Sequence, residues 1–210
     1  VSKDNSQSEL LLYLLDAVDR INMIDPSDIP NIDLYMDQVT TYMETRLKNT
    51  VRHEKDKILT KTMINNYAKN DLLPPPEKKK YTKEHIMMLI FIYYFKGNMS
   101  LQDIHSVLEP LGERYFHAES GRSIEQIYAE VVRMDRDRKQ DFRAEVNDLV
   151  DLAADYFADA EDDEREFLRV FSMINMLSFG VYVRKTLIAK LIDRYFSEDD
   201  PDPKSTRKKK

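Results

Sequence analysis

Between residues 58 and 85 the chain reads ILTKTMINNYAKNDLLPPPEKKKYTKEH, and its polar side chains are of the types that bond to base edges and phosphates. Asn matches the paired donor and acceptor on adenine, Lys reaches guanine or phosphate, and Thr serves either. On a helix capped by Thr60, residues Lys61, Asn65 and Lys69 form one row and Thr62, Asn66 and Lys69 the next, while Ile64, Tyr67 and Ala68 turn inward. Lys78, Lys79, Lys80 and Tyr81 follow a triple-proline exit and suit phosphate contacts, which set register more than they read sequence. A polar helix face alone is an ordinary solvated surface. The proline exit and the lysine run beside it turn the reading toward nucleic acid.

The elements that must hold these residues are helical, because apolar positions recur at helical spacing and no segment alternates convincingly at period two. The fold class is all-α with a very short β wing at most. A first helix is expected over 8–23 with Leu11, Leu12, Leu15, Val18 and Met23 inward, before Pro26 and Pro30. A second begins near Asp33 as its cap and carries Ile32, Tyr35, Met36, Val39, Met43 and Leu47. The third opens at Thr60 with Leu59 and Ile64 as a hydrophobic staple and is ended by Pro74 to Pro76. A fourth spans 82–95, with Gly97 as its left-handed terminator. Ser100 and Asp103 form a capping box opening a short helix to Leu108, before Pro110. Two long helices follow, 123–157 and 163–196, the second kinked at Gly180, as a bundle or dimerisation region.

The ordered features of the opening stretch resemble the DNA-reading segment of the MerR family of winged helix-turn-helix regulators. There a capped recognition helix ends in a Tyr-containing turn, leaves through Leu-Leu-Pro-Pro into a basic wing, and reaches a Tyr before a capped helix. The counterparts are Thr60, Tyr67, Leu72-Leu73-Pro74-Pro75, Lys78-Lys79-Lys80, Tyr81 and Thr82-Lys83-Glu84-His85. The following MMLIFIYYFKGNMSLQDIHSVL resembles the family's next two helices, so the likeness covers about residues 60–108. The chain departs from the pattern where KNTVRHEKDK separates the first two helices without a Gly, where the wing is cut to EKKK, and where Asn65 and Asn66 replace the usual Arg and first Tyr. The chain as a whole also resembles an uncharacterised bacterial family known only as a domain of unknown function, which implies no activity.

The MerR resemblance implies a bacterial transcription regulator with double-stranded DNA as partner, a homodimer built on a long helix such as 123–157, and a small-molecule effector beyond it. The DNA-binding residues expected are Lys61, Thr62, Asn65, Asn66, Tyr67, Lys69, Lys78, Lys79, Lys80 and Tyr81. The corresponding division is an N-terminal helix and linker over 1–30, a winged helix-turn-helix domain over 31–110, a C-terminal helical domain over 111–196, and a disordered basic tail over 197–210. The alternative is a helical protein-interaction module that does not bind DNA.

Charge is distributed unevenly behind a net −6. Residues 46–84 hold eleven bases and five acids, a net +6, and residues 119–169 hold eight bases and sixteen acids, a net −8. Cys is absent, which excludes disulfides and thiolate metal sites, and four Gly leave no phosphate-cradling loop. No apolar run approaches twenty residues and no signal peptide is evident, so no membrane span is expected and the expected compartment is the cytoplasm. His53, His85, His105 and His117 lack ligand spacing, and Asp148, Asp151, Asp155 and Asp159 lack a Glu-x-x-His partner. No metal, cofactor or catalytic residue is expected, and the protein reads as a non-enzyme. Phe157, Phe167, Phe171, Phe179 and Tyr182 are the aromatic set from which an effector pocket would be built, against their ordinary role as core.

Overall fold

The computed structural model describes residues 3–53, 55–118, 120–157 and 159–196. The expected tail over 197–210 lies outside them. The order is α1 (Lys3–Arg20), a 3₁₀ turn (Pro26–Asp28), β1 (Leu34–Tyr35), α2 (Met36–Leu47), α3 (Lys61–Lys69), β2 (Lys80–Tyr81), α4 (Lys83–Phe95), α5 (Leu101–Tyr115), α6 (Ile124–Asp137), α7 (Lys139–Asp155) and α8 (Asp162–Tyr195). The all-α class holds, with one two-stranded antiparallel ribbon in which Leu34 faces Tyr81 and Tyr35 faces Lys80.

The core is organised around α4, whose residues Ile86 through Ile92 are all buried. A helix apolar on every side must be surrounded, and here α2, α3, α5 and α6 supply the walls through Val39, Met43, Ile64, Ile104, Leu108 and Tyr128. A smaller cluster joins Leu149, Val150 and Ala153 of α7 to Met173 of α8, with Leu10, Leu11 and Leu14 of α1 against it. The buried groups therefore place α6 with the N-terminal elements and α1 with the C-terminal ones, a grouping across the expected divisions at 30 and 110.

Several boundaries differ from expectation. Helix α1 starts five residues earlier than expected and ends at Arg20, and Leu12 on it is 66% exposed while Leu14 packs inward. Helix α2 begins at Met36 rather than Asp33, because Leu34 and Tyr35 are drawn into the ribbon; Gln38 Oε1 caps the Tyr35 N–H at 2.9 Å, and Ile32 and Tyr35 are exposed. Helix α3 stops at Lys69, well before the prolines: Asp71 takes φ 55° and the Leu72 N–H reaches Tyr67 O at 3.0 Å. That is a Schellman closure with Asp in the usual Gly place, sealed by the buried Tyr67 and Leu72. Gly97 does not adopt the left-handed conformation; the last turn of α4 closes through Lys96 N–H to Ile92 O.

Helix α5 runs through Pro110 to Tyr115. An interior proline costs about 3 kcal/mol of helix propensity, and the core contacts of Leu108, Leu111 and Tyr115 on either side offset it. The expected helix 123–157 is divided at Arg138 into α6 and α7, while α8 continues unbroken through Gly180. Residues Glu164–Tyr195 of α8 are long and apolar enough to cross a membrane by length and composition, and an 18-residue stretch within them has mean hydropathy 1.2 with 6% of it buried. Counting unbroken apolar runs missed this, because charged residues interrupt the sequence.

Candidate nucleic-acid interface

Helix α3 has nine residues, too few to stand alone in water, so its ends and its inner face hold it. Thr60 Oγ1 accepts the Met63 N–H at 3.2 Å, and Leu59 and Ile64 are both buried at the entry. With Ile64 and Tyr67 in the core, Lys61, Thr62, Asn65, Asn66 and Lys69 are exposed together, as the spacing requires. Lys61 forms an ion pair with Asp37 in the first turn of α2. Asn70 Nδ2 donates to Asn66 O at 2.7 Å, which leaves the Asn66 side chain outward.

The segment expected as a wing, residues 77–80, is a tight hairpin. Lys78 and Lys79 have φ of 49° and 65°, and the Lys80 N–H returns to Glu77 O at 2.8 Å. Positive φ at both central residues marks a type I′ turn, the kind that normally takes Asn-Gly. Two lysines in these places are strained, and both side chains stand exposed at the tip. Among the described residues neither makes an ion pair, nor does Lys69. Lys80 leaves the tip in β2 with its ammonium 5.5 Å from the Tyr35 ring centroid. Through the β1–β2 ribbon and the Lys61–Asp37 pair, the hairpin, the start of α2 and α3 are tied into one unit.

His85 anchors the other end of this hairpin segment. The Thr82 N–H donates to His85 Nδ1 at 3.0 Å, so Nδ1 is the acceptor and the ring proton lies on Nε2, 3.4 Å from Pro75 O. The ring is fully buried with Phe116 edge-on at 4.7 Å, and desolvation holds its pKa below the ordinary 6.5. This is a neutral core histidine that fastens the proline exit to the cap of α4. His117 lies 6.4 Å from it and is paired to Glu84 at 2.7 Å.

Two expected contact residues are corrected. Tyr67 and Tyr81 are 6% and 2% exposed, and burial raises both phenol pKa values. They pack beneath the surface and support it. Thr62, Asn65, Asn66, Lys69, Lys78 and Lys79 stand in solvent, with Lys61 and Lys80 partly engaged. Sequence reading missed the Leu34–Tyr35 strand and the Asp37 partner, since two residues give no period to detect. The expected aromatic set of the C-terminal region stands open to solvent: Phe167, Phe171, Phe179 and Tyr182 are each more than half exposed and Phe157 is 39% exposed. Among the described residues no cluster of three His, Asp or Glu side chains suits a metal ion.

A family model described as Domain of unknown function (DUF1836) matches residues 24–131, which spans the ribbon, α2 through α5 and half of α6. No curated protein and no solved structure matches the chain.

Proposed function

The chain belongs to the family of Domain of unknown function (DUF1836), whose description states no activity, and for it we propose a sequence-specific DNA-binding regulator that works as a homodimer in the bacterial cytoplasm. One observation carries the reading: a capped helix presents Thr62, Asn65, Asn66 and Lys69 on one exposed face, fixed to a short hairpin whose tip holds Lys78 and Lys79. Asn and Lys on a helix face have the donor and acceptor chemistry of the major groove, and the wing lysines supply phosphate contacts that set its docking. The resemblance to MerR winged helix-turn-helix regulators agrees with this, and the ribbon gives such a wing a rigid mount. The exposed Arg52, Lys55 and Lys57, in the connection between α2 and α3, add cations to the same body.

Dimerisation moves from the expected helix 123–157 to α8. Phe179, Val183, Leu187, Leu191 and Tyr195 recur every four residues and are 40–67% exposed across this row, a ridge that another helix can pack against. Arg184 and Lys185 lie within the same stretch, and in a bilayer centre each would cost about 3 kcal/mol; a paired helix leaves them in water. Two copies related by a twofold axis place two α3 helices in successive major grooves, so the operator is an inverted repeat.

The test is selection of genomic DNA fragments by the purified protein at low and moderate salt, followed by sequencing. Enrichment of a palindrome that Asn65→Ala or Lys69→Ala abolishes supports the reading, and Lys79→Ala lowers the salt slope by about one counterion. No retention even at low salt refutes it and turns attention to a protein partner.

A further inference from the structure

Between the α4–α6 body and α7–α8 lies a cavity of about 1000 Å³, reaching to the end of α1 and distinct from the α3 face. Its walls are mainly apolar and aromatic, including Phe91, Tyr94, Phe95, Val131, Phe142 and Leu149. The size and lining are those of a small-molecule site, in which a few polar groups select the ligand.

The charges at its edge decide which ligand. Arg46 is paired with Asp28 at 3.3 Å, Arg136 with Asp25 at 2.9 Å, and Arg184 with Glu145 at 2.7 Å. Lys139 donates to Asn22 Oδ1 and to Asp19 O, both at 2.7 Å, and Arg20 pairs with Asp16. Asp135 differs: among the described residues its carboxylate makes no hydrogen bond and no ion pair. Arg138 acts on it only through space and is itself placed over the Phe142 ring and near Asp141. Asp135 is exposed overall, with enough burial of its carboxylate to raise its pKa; burial above all, with the Tyr93 and Asp135 charges behind it, raises that of Tyr94 to about 12. An uncompensated carboxylate beside aromatic faces attracts a cation twice over, by charge and through the ring quadrupoles.

We propose that this cavity binds a small molecule with an apolar body and one cationic head, of the amine class, with Asp135 taking the head and the Phe91–Tyr94–Phe95 wall the body. Among the described residues each arginine of the lining is held by a carboxylate, and Lys139, which has no ion pair, is held by two neutral oxygens. Binding at this site does not depend on the DNA reading.

The probes are two dyes with one fluorophore, dansylcadaverine, whose alkyl amine is protonated at neutral pH, and dansylglycine, which carries a carboxylate. Titrated against the full chain at pH 7, dansylcadaverine is expected to brighten on saturable binding and dansylglycine to bind at least tenfold more weakly. Asp135→Asn weakens dansylcadaverine about tenfold, the loss of one charged hydrogen bond, with circular dichroism unchanged. Val131→Trp, which fills the cavity from α6, removes binding of both dyes. Equal binding of the two dyes, or an Asp135→Asn protein that binds as the parent does, overturns the cation assignment. No saturable binding of either dye, or binding that survives Val131→Trp in a folded protein, overturns the site.

Discussion

Leu187→Asp on α8 tests the dimer most directly. Leu187 sits at the middle of the row from Phe179 to Tyr195 and is 58% exposed, so the single chain gains little from it. Full burial of a Leu side chain is worth about 2 kcal/mol. Pairing can therefore recover roughly 1 kcal/mol per copy, and a twofold axis counts the position twice, giving roughly 2 kcal/mol. Loss of that area alone weakens dimerisation about 30-fold. A carboxylate left in a dry seam adds at least about 1 kcal/mol per chain, which brings the total to about 1000-fold or more. Sedimentation equilibrium from submicromolar to high micromolar concentration reads the constant, and circular dichroism with a urea melt at low concentration checks that the monomer still folds. Parent protein that stays monomeric across the range, or a variant with the parent's constant, refutes the reasoning about this face. Parent protein that sediments with added vesicles in place of pairing assigns α8 to a membrane surface.

Two further outcomes follow from the wing. His85 is neutral in the fold with its pKa depressed below 6.5, so unfolded chains bind more protons in acid; its stabilisation is present above about pH 6.5 and is lost as pH falls toward the folded value. Urea melts between pH 7.5 and 5 are expected to show this loss, and His85→Gln, which keeps an acceptor for the Thr82 N–H, to flatten the part of the slope that His117, Glu84 and Glu77 nearby do not produce; an unchanged slope removes His85 as its source. Lys79→Gly relieves a non-glycine residue at φ 65° and is expected to raise stability by about 1 kcal/mol in urea while lowering affinity for DNA of any sequence; a destabilised variant would show that the turn is not strained.

The sequence alone was enough for the helical class and for most of the candidate face. Thr60 and Ser100 each cap the helix expected of them, since a cap depends on three or four neighbouring residues. The outward row of Thr62, Asn65, Asn66 and Lys69 was equally legible, because one period of the helix fixes which side chains share a face. The tertiary structure decided everything whose energy comes from distant partners. Pro110 stays inside α5 because the core on both sides outweighs a local propensity. Tyr81 became support instead of a contact because β2 presses it inward. The ribbon between residues 34–35 and 80–81, and the cavity whose edge carries Asp135, bring together segments from opposite parts of the chain. Such pairings leave no local period in sequence, since their stabilisation exists only once the chain has closed on itself.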